Sequence, residues 1–430
     1  MTKSKEKPTK YDVVVVGGGP SGIACCIELK RLDPSARILL VEKNHEIGKK
    51  IRVAGNGRCN ITNTDADGYD MALEFLNSVG LELRTYLNGL VYPYSESGID
   101  VAERLASALD EAGVEISLGH EVKQVACIEN QATADSGNYK VCENDINIKE
   151  SNRSNSGYIV TTTLDSYYTD KVVLSLGGKA APSYGTIGDG YKLAKELGHS
   201  VVGAIPALVP VECAGQGCES IAGVRARGRV TLSKDGCNYV SEDGEIQFTK
   251  FGLSGICIFN LSRFMRYDRN SGIDCFRISI DLFEGGDIMK YLRHQVDVSG
   301  EKRKAGTILQ GLVKDKLATY ILDRAGVSKD KRIKELSEAE LASIGSIVKS
   351  LEFKPTGIRG WKEAQVTSGG VSLDEINSET QESLIHNGLY ITGELADYDG
   401  PCGGYNLTYA WCSGVKAARN IANAKCKLLS

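Results

Sequence analysis

The chain has 430 residues, a formal net charge of −4 and 25% charged residues. This length predicts two or three domains and room to bury a large ligand. The charge balance is typical of an ordinary soluble enzyme and lacks the basic excess that nucleic-acid binding usually requires, so we expect no nucleic acid as a partner.

The N-terminal MTKSKEKPTK is polar and basic, and we expect residues 1–10 to form a disordered tail. It lacks the apolar segment of a signal peptide, and no run approaches about 18 apolar residues, so we expect a cytoplasmic protein with no membrane partner. The thirteen cysteines form no zinc-type CxxC pairs and the five histidines follow no metal-ligand pattern, which predicts reduced thiols and no metal.

The first structured segment, YDVVVVGGGPSGIACCIELKRL, predicts a buried strand, a glycine turn and a helix. ARILLVEK then predicts a second buried strand that ends at Glu42. Together they form a βαβ unit with a parallel sheet.

The glycine turn has the spacing of a dinucleotide-binding motif. Gly17-x-Gly19-x-x-Gly22 follows a strand and opens a helix, and Glu42 comes twenty residues after Gly22. Such glycines allow a tight turn and close backbone approach, the helix N-terminus meets the pyrophosphate, and the carboxylate accepts hydrogen bonds from ribose hydroxyls.

The AGNGRCNITN stretch, residues 54–63, raises the question of a redox thiol. Flavin disulfide reductases carry a Cys-x-x-x-x-Cys pair in this region, but the residue five positions after Cys59 is Thr64. We therefore interpret the stretch as a wall in which Arg58 and Asn60 donate to phosphate or to flavin carbonyls. A capped turn with a surface arginine is the alternative.

The middle of the chain predicts an insertion. Residues 101–113 predict a helix, and residues 129–157 are so rich in Asn, Ser and Asp that we expect a hairpin tip or a loose insertion. Short strands between glycines predict a β-barrel-like substrate domain over 201–290, followed by a helical domain over 291–350. Residues 351–430 return to the barrel edge and to the first domain, whose first part spans 11–200.

The predicted fold class is therefore α/β, a Rossmann-like domain interrupted by an inserted β-barrel domain and a small helical domain. A C-terminal segment that returns with its own Gly-Gly turn and helix favours FAD over NAD as the bound dinucleotide, because the flavin end must also be held. No second Gly-x-Gly-x-x-Gly occurs. NADH or NADPH would therefore dock transiently as electron donor.

Three further patterns leave alternatives open. Cys213 and Cys218 have the Cys-x-x-x-x-Cys spacing. They form either a redox dithiol or two incidental thiols in a glycine-rich loop. Arg225, Arg227 and Arg229 alternate and so share one face of a strand. They would either bind an anionic substrate tail or form a solvated edge of the barrel. Tyr405 and Tyr409 are candidate proton or hydrogen-bond donors, or pocket wall.

Several longer runs carry a family resemblance: GNGRCNITN, LSLGG, YGTIGDGYKLAKELGHSVV, PALVPV, FTKFGLSG, VTSGGVSLDEIN and GLYITGELADYDGPCGGYNLTYAW. With the glycine motif they resemble the three-domain flavoproteins of the NAD(P)/FAD-dependent oxidoreductase family. That family includes a bile-acid-pathway reductase acting on ring double bonds of 3-oxo bile acids, and an aminoacetone oxidase. Where relatives often read FTHxGLSGP, this chain has Lys250 and Ile256, which leaves any substrate role of that histidine or proline in doubt.

The resemblance implies an FAD domain interrupted by a barrel and a helical domain. It makes the segment from Gly17 to Gly22 the pyrophosphate turn, Glu42 the ribose ligand, and Val122 a backbone contact to adenine. The full set of expected cofactor contacts is Gly17, Gly19, Pro20, Ser21, Gly22, Glu42, Lys43, Lys50, Arg58, Cys59, Asn60, Ile61, Thr62, Val122, Gly177, Gly178, Gly393, Glu394, Gly403, Gly404, Asn406 and Leu407.

The leading functional hypothesis is an FAD-dependent oxidoreductase that reduces an activated C=C bond of a 3-oxo steroid or bile-acid-like enone. Hydride would pass from flavin N5, with Tyr405 as the candidate catalytic residue. The alternatives are a flavin amine oxidase that uses oxygen and, from another class, a tRNA-associated or binding flavoprotein.

Overall fold

The computed structural model describes residues 8–128, 157–265 and 272–429. The Asn/Ser/Asp-rich segment that was predicted as a hairpin tip therefore lies almost wholly outside the described residues. The chain forms two compact units, a first unit of residues 1–205 with 366–430 and a second unit of residues 206–365. No helix in the described ranges is long and apolar enough to cross a membrane.

The elements before residue 200 are, in chain order, β1 (Thr9–Val16), α1 (Pro20–Leu32), β2 (Ile38–Glu42), α2 (Lys49–Val53), β3 (Thr62–Asn63), α3 (Tyr69–Ser78), β4 (Leu83–Thr85), β5 (Leu90–Pro93), α4 (Gly98–Glu111), β6 (Glu115–Leu118), β7 (Val122–Ile128), β8 (Gly157–Thr162), β9 (Ser166–Leu174) and α5 (Asp189–Glu196).

The later elements are β10 (Ile205–Ala207), β11 (Val211–Glu212), β12 (Arg225–Lys234), β13 (Cys237–Phe248), β14 (Gly252–Ser254), α6 (Ile256–Ser262), β15 (Phe276–Asp281), α7 (Ile288–Asp297), α8 (Asp315–Ala325), α9 (Glu338–Lys349), β16 (Leu351–Phe353), β17 (Gly357–Ile358), β18 (Val366–Ser368), β19 (Leu389–Ile391) and α10 (Tyr405–Leu429).

The main sheet of the first unit confirms the predicted α/β, Rossmann-like class. Its strand order is β6-β2-β1-β9-β8-β7, with β19 also paired to β9. The strands β6, β2, β1, β9 and β19 pair in parallel. The apolar run of β1 is buried from Val13 to Val16, as expected for a central strand covered on both faces. Since β1 begins at Thr9, the predicted tail 1–10 is too long by two residues.

The C-terminal helix α10 packs against α1, so the two ends of the chain meet. A Cβ atom at Gly414 would lie 2.2 Å from the carbonyl oxygen of Ser21, and only glycine allows this approach. Arg419 of α10 donates to the buried Glu28 of α1 at 2.8 Å. Trp411 is fully buried in the same core. These contacts hold the end of the chain beside the glycine turn.

A small sheet, with strand order β3-β5-β4, is also part of the first unit. All its pairings are antiparallel, and Thr62 lies opposite Val91 while Arg84 lies opposite Tyr92. Because β3 is the end of the 54–63 stretch, this sheet positions the predicted flavin-side loop.

The second unit contains a seven-stranded sheet of order β16-β15-β12-β13-β14-β11-β17. This order runs from one edge to the other, so closure into a barrel is not established and the predicted barrel stays a prediction. Residues of α7, α8 and α9 share one hydrophobic core with the sheet, for example Leu292, Ile321 and Ile344. The separate boundaries at 201–290, 291–350 and 351–430 likewise remain predictions.

Candidate functional site

The glycine turn between β1 and α1 is shaped to leave the N-terminus of α1 open. Gly17 has φ +111°, and a Cβ there would lie 2.4 Å from Ser175 O. A Cβ at Gly22 would lie 2.1 Å from Gly17 O, whereas one at Gly19 meets nothing within 4 Å. Gly19 is the N-cap and supplies no side-chain cap, and Pro20 follows it in the first turn. The N-terminal N–H groups of α1 are therefore available to an anion such as a diphosphate.

Glu42 lies beside this turn, at the end of β2. Its Oε2 accepts from Gly18 N at 2.8 Å. Its Oε1 accepts from the backbone and side-chain nitrogens of Asn44 at 2.8 and 2.6 Å. The carboxylate is thus fixed in orientation and keeps lone pairs for further donors, as a ribose ligand requires. Sequence reasoning missed Asn44, which holds Glu42 in place.

The backbone before Val122 lies close to Glu42. His120 N donates to Glu42 O at 3.0 Å, and Gly119 N donates to Asn44 O at 3.0 Å. Val122 then begins β7 and is buried. The predicted adenine contact and the predicted ribose ligand therefore occupy one region of the first unit.

The two predicted lysines are both engaged in ion pairs. Lys43 pairs with Asp189 in the first turn of α5. Lys50 of α2 donates to Glu394 at 2.6 Å. Each lysine thus ties an element after β2 to a distant segment of the same unit.

Glu394 directly follows Gly393 and lies beside Gly178 and Thr367. Its Oε1 accepts from Thr367 N at 2.8 Å, and a Cβ at Gly178 would lie 2.8 Å from the same oxygen. A Cβ at Gly393, which has φ +65°, would lie 2.5 Å from Ser21 Oγ. Gly177, with φ +71°, completes the turn after β9. Thr367 was not predicted as a site residue, although it lies in the family-like run VTSGGVSLDEIN.

Cys59 is a core residue. It is buried, and burial raises the pKa of its thiol to about 12, so the thiol is protonated at neutral pH. Among the cysteines that the structure describes in full, each is a free thiol, Cys59 included. The geometry therefore agrees with a wall and not with a redox centre.

Arg58 is engaged by neighbouring side chains, and its cofactor role stays a prediction. It is exposed, its guanidinium donates to Glu96 at 2.8 Å, and it lies 4.7 Å from the ring centroid of Tyr92. Its donors are thus directed to neighbouring side chains, as in the alternative of a turn with a surface arginine. In the orientation that matches donors to acceptors, the amide nitrogen of Asn60 donates to Thr62 O and Val91 O at 3.0 Å, which braces the loop.

The end of this loop joins the turn before α10. A Cβ at Gly404 would lie 2.4 Å from Thr62 O. The Oγ1 atoms of Thr62 and Thr408 are 2.7 Å apart, and Trp411 Nε1 donates to Ile61 O at 3.1 Å. The structure thus brings together two segments about 340 residues apart in sequence.

Asn63, which was not predicted, makes the same join. Its amide donates to Gly403 O at 2.9 Å. Asn406 holds the preceding turn by accepting from Gly400 N at 2.8 Å and donating to Gly400 O at 2.9 Å. Leu407 packs against the buried core. The side chain of Asn406 is therefore used within its own loop.

The two candidate tyrosines lie at the start of α10. Tyr405 is the first residue of the helix and is partly buried. The ring of Tyr409 stacks on Tyr398, with centroids 3.9 Å apart and an interplanar angle of 11°. Burial, with a further contribution from Tyr398, raises the pKa of Tyr409, so its hydroxyl keeps its proton at neutral pH.

The second unit contains the remaining candidates. Cys213 and Cys218 are buried, burial raises the pKa of both, and the thiol of Cys218 donates to Cys213 O at 3.5 Å. Arg225 pairs with Glu245, and Arg229 pairs with Asp243. From Arg229 onward β12 is paired on both sides, so it is an interior strand there and not a sheet edge.

Lys250 is exposed just before β14. Ile256 is exposed in the first turn of α6. These two departures from the family pattern flank β14 in the sequence of the second unit.

The first strand of the parallel sheet leads through a glycine turn into a helix, and an acidic residue ends the next strand. This arrangement is that of a dinucleotide-binding Rossmann protein. The particular family follows from sequence. The protein-family model described as HI0933-like protein Rossmann domain matches residues 11–72 and 68–420, and the chain belongs to this family. The resemblance to FAD-dependent oxidoreductases is confirmed.

Two relatives are similar over nearly their whole length. The chain is 31% identical to a 3-dehydro-bile acid delta(4,6)-reductase of Clostridium scindens, covering 95% of this chain and 98% of the relative. It is 25% identical to a ribosomal RNA dihydrouridine synthase of Haemophilus influenzae, covering 95% and 98%. The second relative means that the expected exclusion of nucleic acid is not supported.

A solved structure, the 3-ketosteroid delta1-dehydrogenase of Sterolibacterium denitrificans, aligns over 97% of this chain and 100% of its own. Its TM-score is 0.49 and its identity 13%, so we draw no argument about function from it.

Proposed function

We propose that this protein is an FAD-dependent reductase of C=C bonds conjugated to a carbonyl group, with NADH or NADPH as electron donor. FAD, when bound, would supply the hydride that is added to the substrate. The observation that carries the proposal is the join of the 58–62 loop to the 403–407 turn, in the same unit as the open glycine turn. A long cofactor held at both ends needs both of these features.

The residues fit FAD at its nucleotide end. The uncapped N-terminus of α1 supplies N–H groups to a diphosphate, and the empty space at Gly19 admits it. Glu42, held by Gly18 and Asn44, would accept from ribose hydroxyls. The backbone at Val122 would contact the adenine.

At the other end, the 25-residue helix α10 begins directly after Gly403 and Gly404, both with positive φ. Its first turn contains no acidic residue, so the positive end of the helix dipole is not neutralised there. This end would stabilise negative charge that develops on a bound group. The remaining predicted contacts in this region are proposed to enclose that group, namely Gly177, Gly178, Gly393, Glu394, Asn406 and Leu407.

Reduction of an enone also needs a proton at the α-carbon. We propose Tyr405 as its donor, since it is the first residue of α10 and is only partly buried. Tyr409 is stacked on Tyr398 and is better suited to forming the wall beside it.

The proposed substrate is a 3-oxo steroid or bile-acid-like enone, because the relative at 31% identity is named for reduction of a 3-dehydro-bile acid. The second candidate substrate is uridine in RNA, because relatives at 25% identity are named ribosomal RNA dihydrouridine synthases. Dihydrouridine forms when a C=C bond conjugated to a ring carbonyl gains two hydrogens. Both substrates therefore need the same chemistry from the protein.

Anaerobic stopped-flow measurements on the purified, FAD-loaded protein test this function. NADH or NADPH should bleach the flavin absorbance, and a 3-oxo-Δ4 steroid should restore it with uptake of two hydrogens; a uridine-containing RNA replaces the steroid in a parallel series. Tyr405→Phe should slow the second step and leave the first unchanged. The proposal is wrong if no donor bleaches the flavin, and an amine that does so with peroxide release in air indicates an oxidase.

A further inference from the structure

One face of the small sheet β3-β5-β4 carries tyrosine rings and guanidinium groups that the proposed mechanism does not use. Arg84 on β4 lies opposite Tyr92 on β5. Tyr86 and Tyr94 each lie two residues farther along the chain and extend the ladder, since Tyr86 N donates to Leu90 O and Tyr94 N donates to Glu82 O. Alternation along a strand puts these side chains on one side. We call Arg58, Arg84, Tyr86, Tyr92 and Tyr94 the Tyr-Arg face.

The rings and guanidiniums of the Tyr-Arg face are ordered against each other. Arg58 lies 4.7 Å from the Tyr92 centroid, and Arg84 lies 4.3 Å from that of Tyr94 and 5.9 Å from that of Tyr86. Tyr86 and Tyr92 pack edge to face at 5.6 Å. Even so, the face is open to solvent, because Tyr94 is 57% exposed and Arg84 is exposed.

The Tyr-Arg face borders the flavin-side segments. Asn63 of β3 lies opposite Leu90 of β5. A Cβ at Gly403 would lie 3.1 Å from Leu90 Cδ2. A molecule lying on the face could therefore extend to the turn that precedes α10 without leaving the first unit.

We propose that the Tyr-Arg face binds the adenosine-phosphate half of the reduced nicotinamide dinucleotide. This inference rests on the proposed function, which requires such a donor, and it supplies a docking place in a chain with no second Gly-x-Gly-x-x-Gly motif. A planar base stacks on tyrosine rings and on guanidinium planes. A guanidinium also binds phosphate through two parallel hydrogen bonds.

An RNA strand would use the same types of contact, but its binding depends on the number of phosphates that are neutralised. The Tyr-Arg face offers two guanidiniums, and Arg58 is already paired with Glu96. That charge suits the diphosphate of one dinucleotide better than a strand with many phosphates. The size of the face therefore favours the small ligand.

ADP-ribose is the probe for the test. It carries the adenosine and the diphosphate but lacks the nicotinamide, so it cannot reduce the flavin. Its affinity for the FAD-loaded full-length protein is measured by calorimetry for the wild type, Arg84→Gln and Tyr94→Ala. We expect each change to raise Kd about tenfold. Arg37→Gln is the matched control, because Arg37 is exposed and also lies over a tyrosine, 5.0 Å from the centroid of Tyr11. It should leave Kd unchanged, and FAD content should be equal in all four proteins.

Wild-type affinity for ADP-ribose in both variants overturns the proposal. So does loss of binding to oligouridylate with ADP-ribose binding intact, which would make the face an RNA site. Flavin reduction by NADH and NADPH, followed in the same proteins, separates the two proposals. If the donors reduce the wild type and both variants equally well, only the docking face is wrong. If they reduce none of the proteins and ADP-ribose does not bind, the proposed donor is wrong as well.

Discussion

Two glycines of the same turn should separate folding from cofactor binding. A Cβ at Gly22 would lie 2.1 Å from Gly17 O and 3.3 Å from Ser175 Cβ. Both neighbours belong to the packed junction of β1, β9 and α1, so the backbone would have to move by about 1 Å to reach an ordinary contact distance. Gly22→Ala should therefore lower the free energy of unfolding of the apoprotein by about 1–3 kcal/mol.

Gly19→Ala should behave differently. A Cβ at Gly19 meets nothing within 4 Å, and its φ of −86° is ordinary for alanine. The stability of the apoprotein should therefore be unchanged. The added methyl group would occupy space that the proposed diphosphate needs, so we expect the Kd for FAD to rise about 10- to 100-fold, or roughly 1.4–2.7 kcal/mol.

Urea unfolding of the apoproteins and titration of FAD by the change in its fluorescence measure the two effects independently. The pattern to be expected is a stability loss confined to Gly22→Ala in the apoprotein, and weaker FAD binding by Gly19→Ala without any stability loss. If Gly19→Ala binds FAD as tightly as the wild type, the diphosphate does not lie at the N-terminus of α1. If Gly22→Ala unfolds at the wild-type urea concentration, the packing argument is wrong.

Two further predictions concern buried ionisable groups. Burial would raise the pKa of Glu28, but hydrogen bonds from Arg31 and Arg419 hold it below 4.5, so its stabilisation is present above about pH 4.5 and is lost as the pH falls through the lowered value. Glu28→Gln should lower the free energy of unfolding, measured with urea at pH 7, by about 1–2 kcal/mol; the loss is modest because both guanidiniums are partly exposed. If the variant loses as much stability on acidification as the wild type does, the assignment to Glu28 is wrong. Burial lowers the pKa of His199 below 6.5, so the unfolded chain binds the proton more readily and stability falls as the pH drops below about 6.5. Thermal unfolding between pH 7.5 and 5 should show a shallower decline for His199→Gln than for the wild type, and parallel curves would refute the assignment.

The glycine turn could be predicted from sequence because its parts are contiguous. β1, the turn and α1 occupy residues 9–32, and Glu42 follows at the end of the next strand. Their periodicity and glycine spacing are local properties, so no tertiary information was needed. The acidic residue was likewise found from its distance along the chain.

The partners of the site residues could not be predicted in this way. Thr367 and Asn63 act through hydrogen bonds to residues that only the fold brings near. Asn44 bonds to Glu42 only two residues away, but the residue types alone did not indicate that bond. Arg58 was assigned to the cofactor because it offers hydrogen-bond donors and by the family resemblance, and that role stays a prediction. Its partner in the structure is Glu96, which lies 38 residues away in sequence. The sequence therefore showed that Arg58 is a donor but did not show that it donates to Glu96.

The prediction that nucleic acid is not a partner remains unsupported, because relatives are named ribosomal RNA dihydrouridine synthases and because net charge is a poor guide to a local site. Net charge sums over the whole chain, so a value of −4 does not show where the basic side chains lie and says nothing about a face of five side chains. The Tyr-Arg face is assembled from residues between positions 58 and 94, and no short window of the sequence contains more than part of it. A dinucleotide needs only such a local face, whereas an RNA substrate would need positive charge well beyond it. The choice between a dinucleotide and an RNA therefore depends on how many cationic side chains surround Arg84 on the surface. Composition does not measure that number.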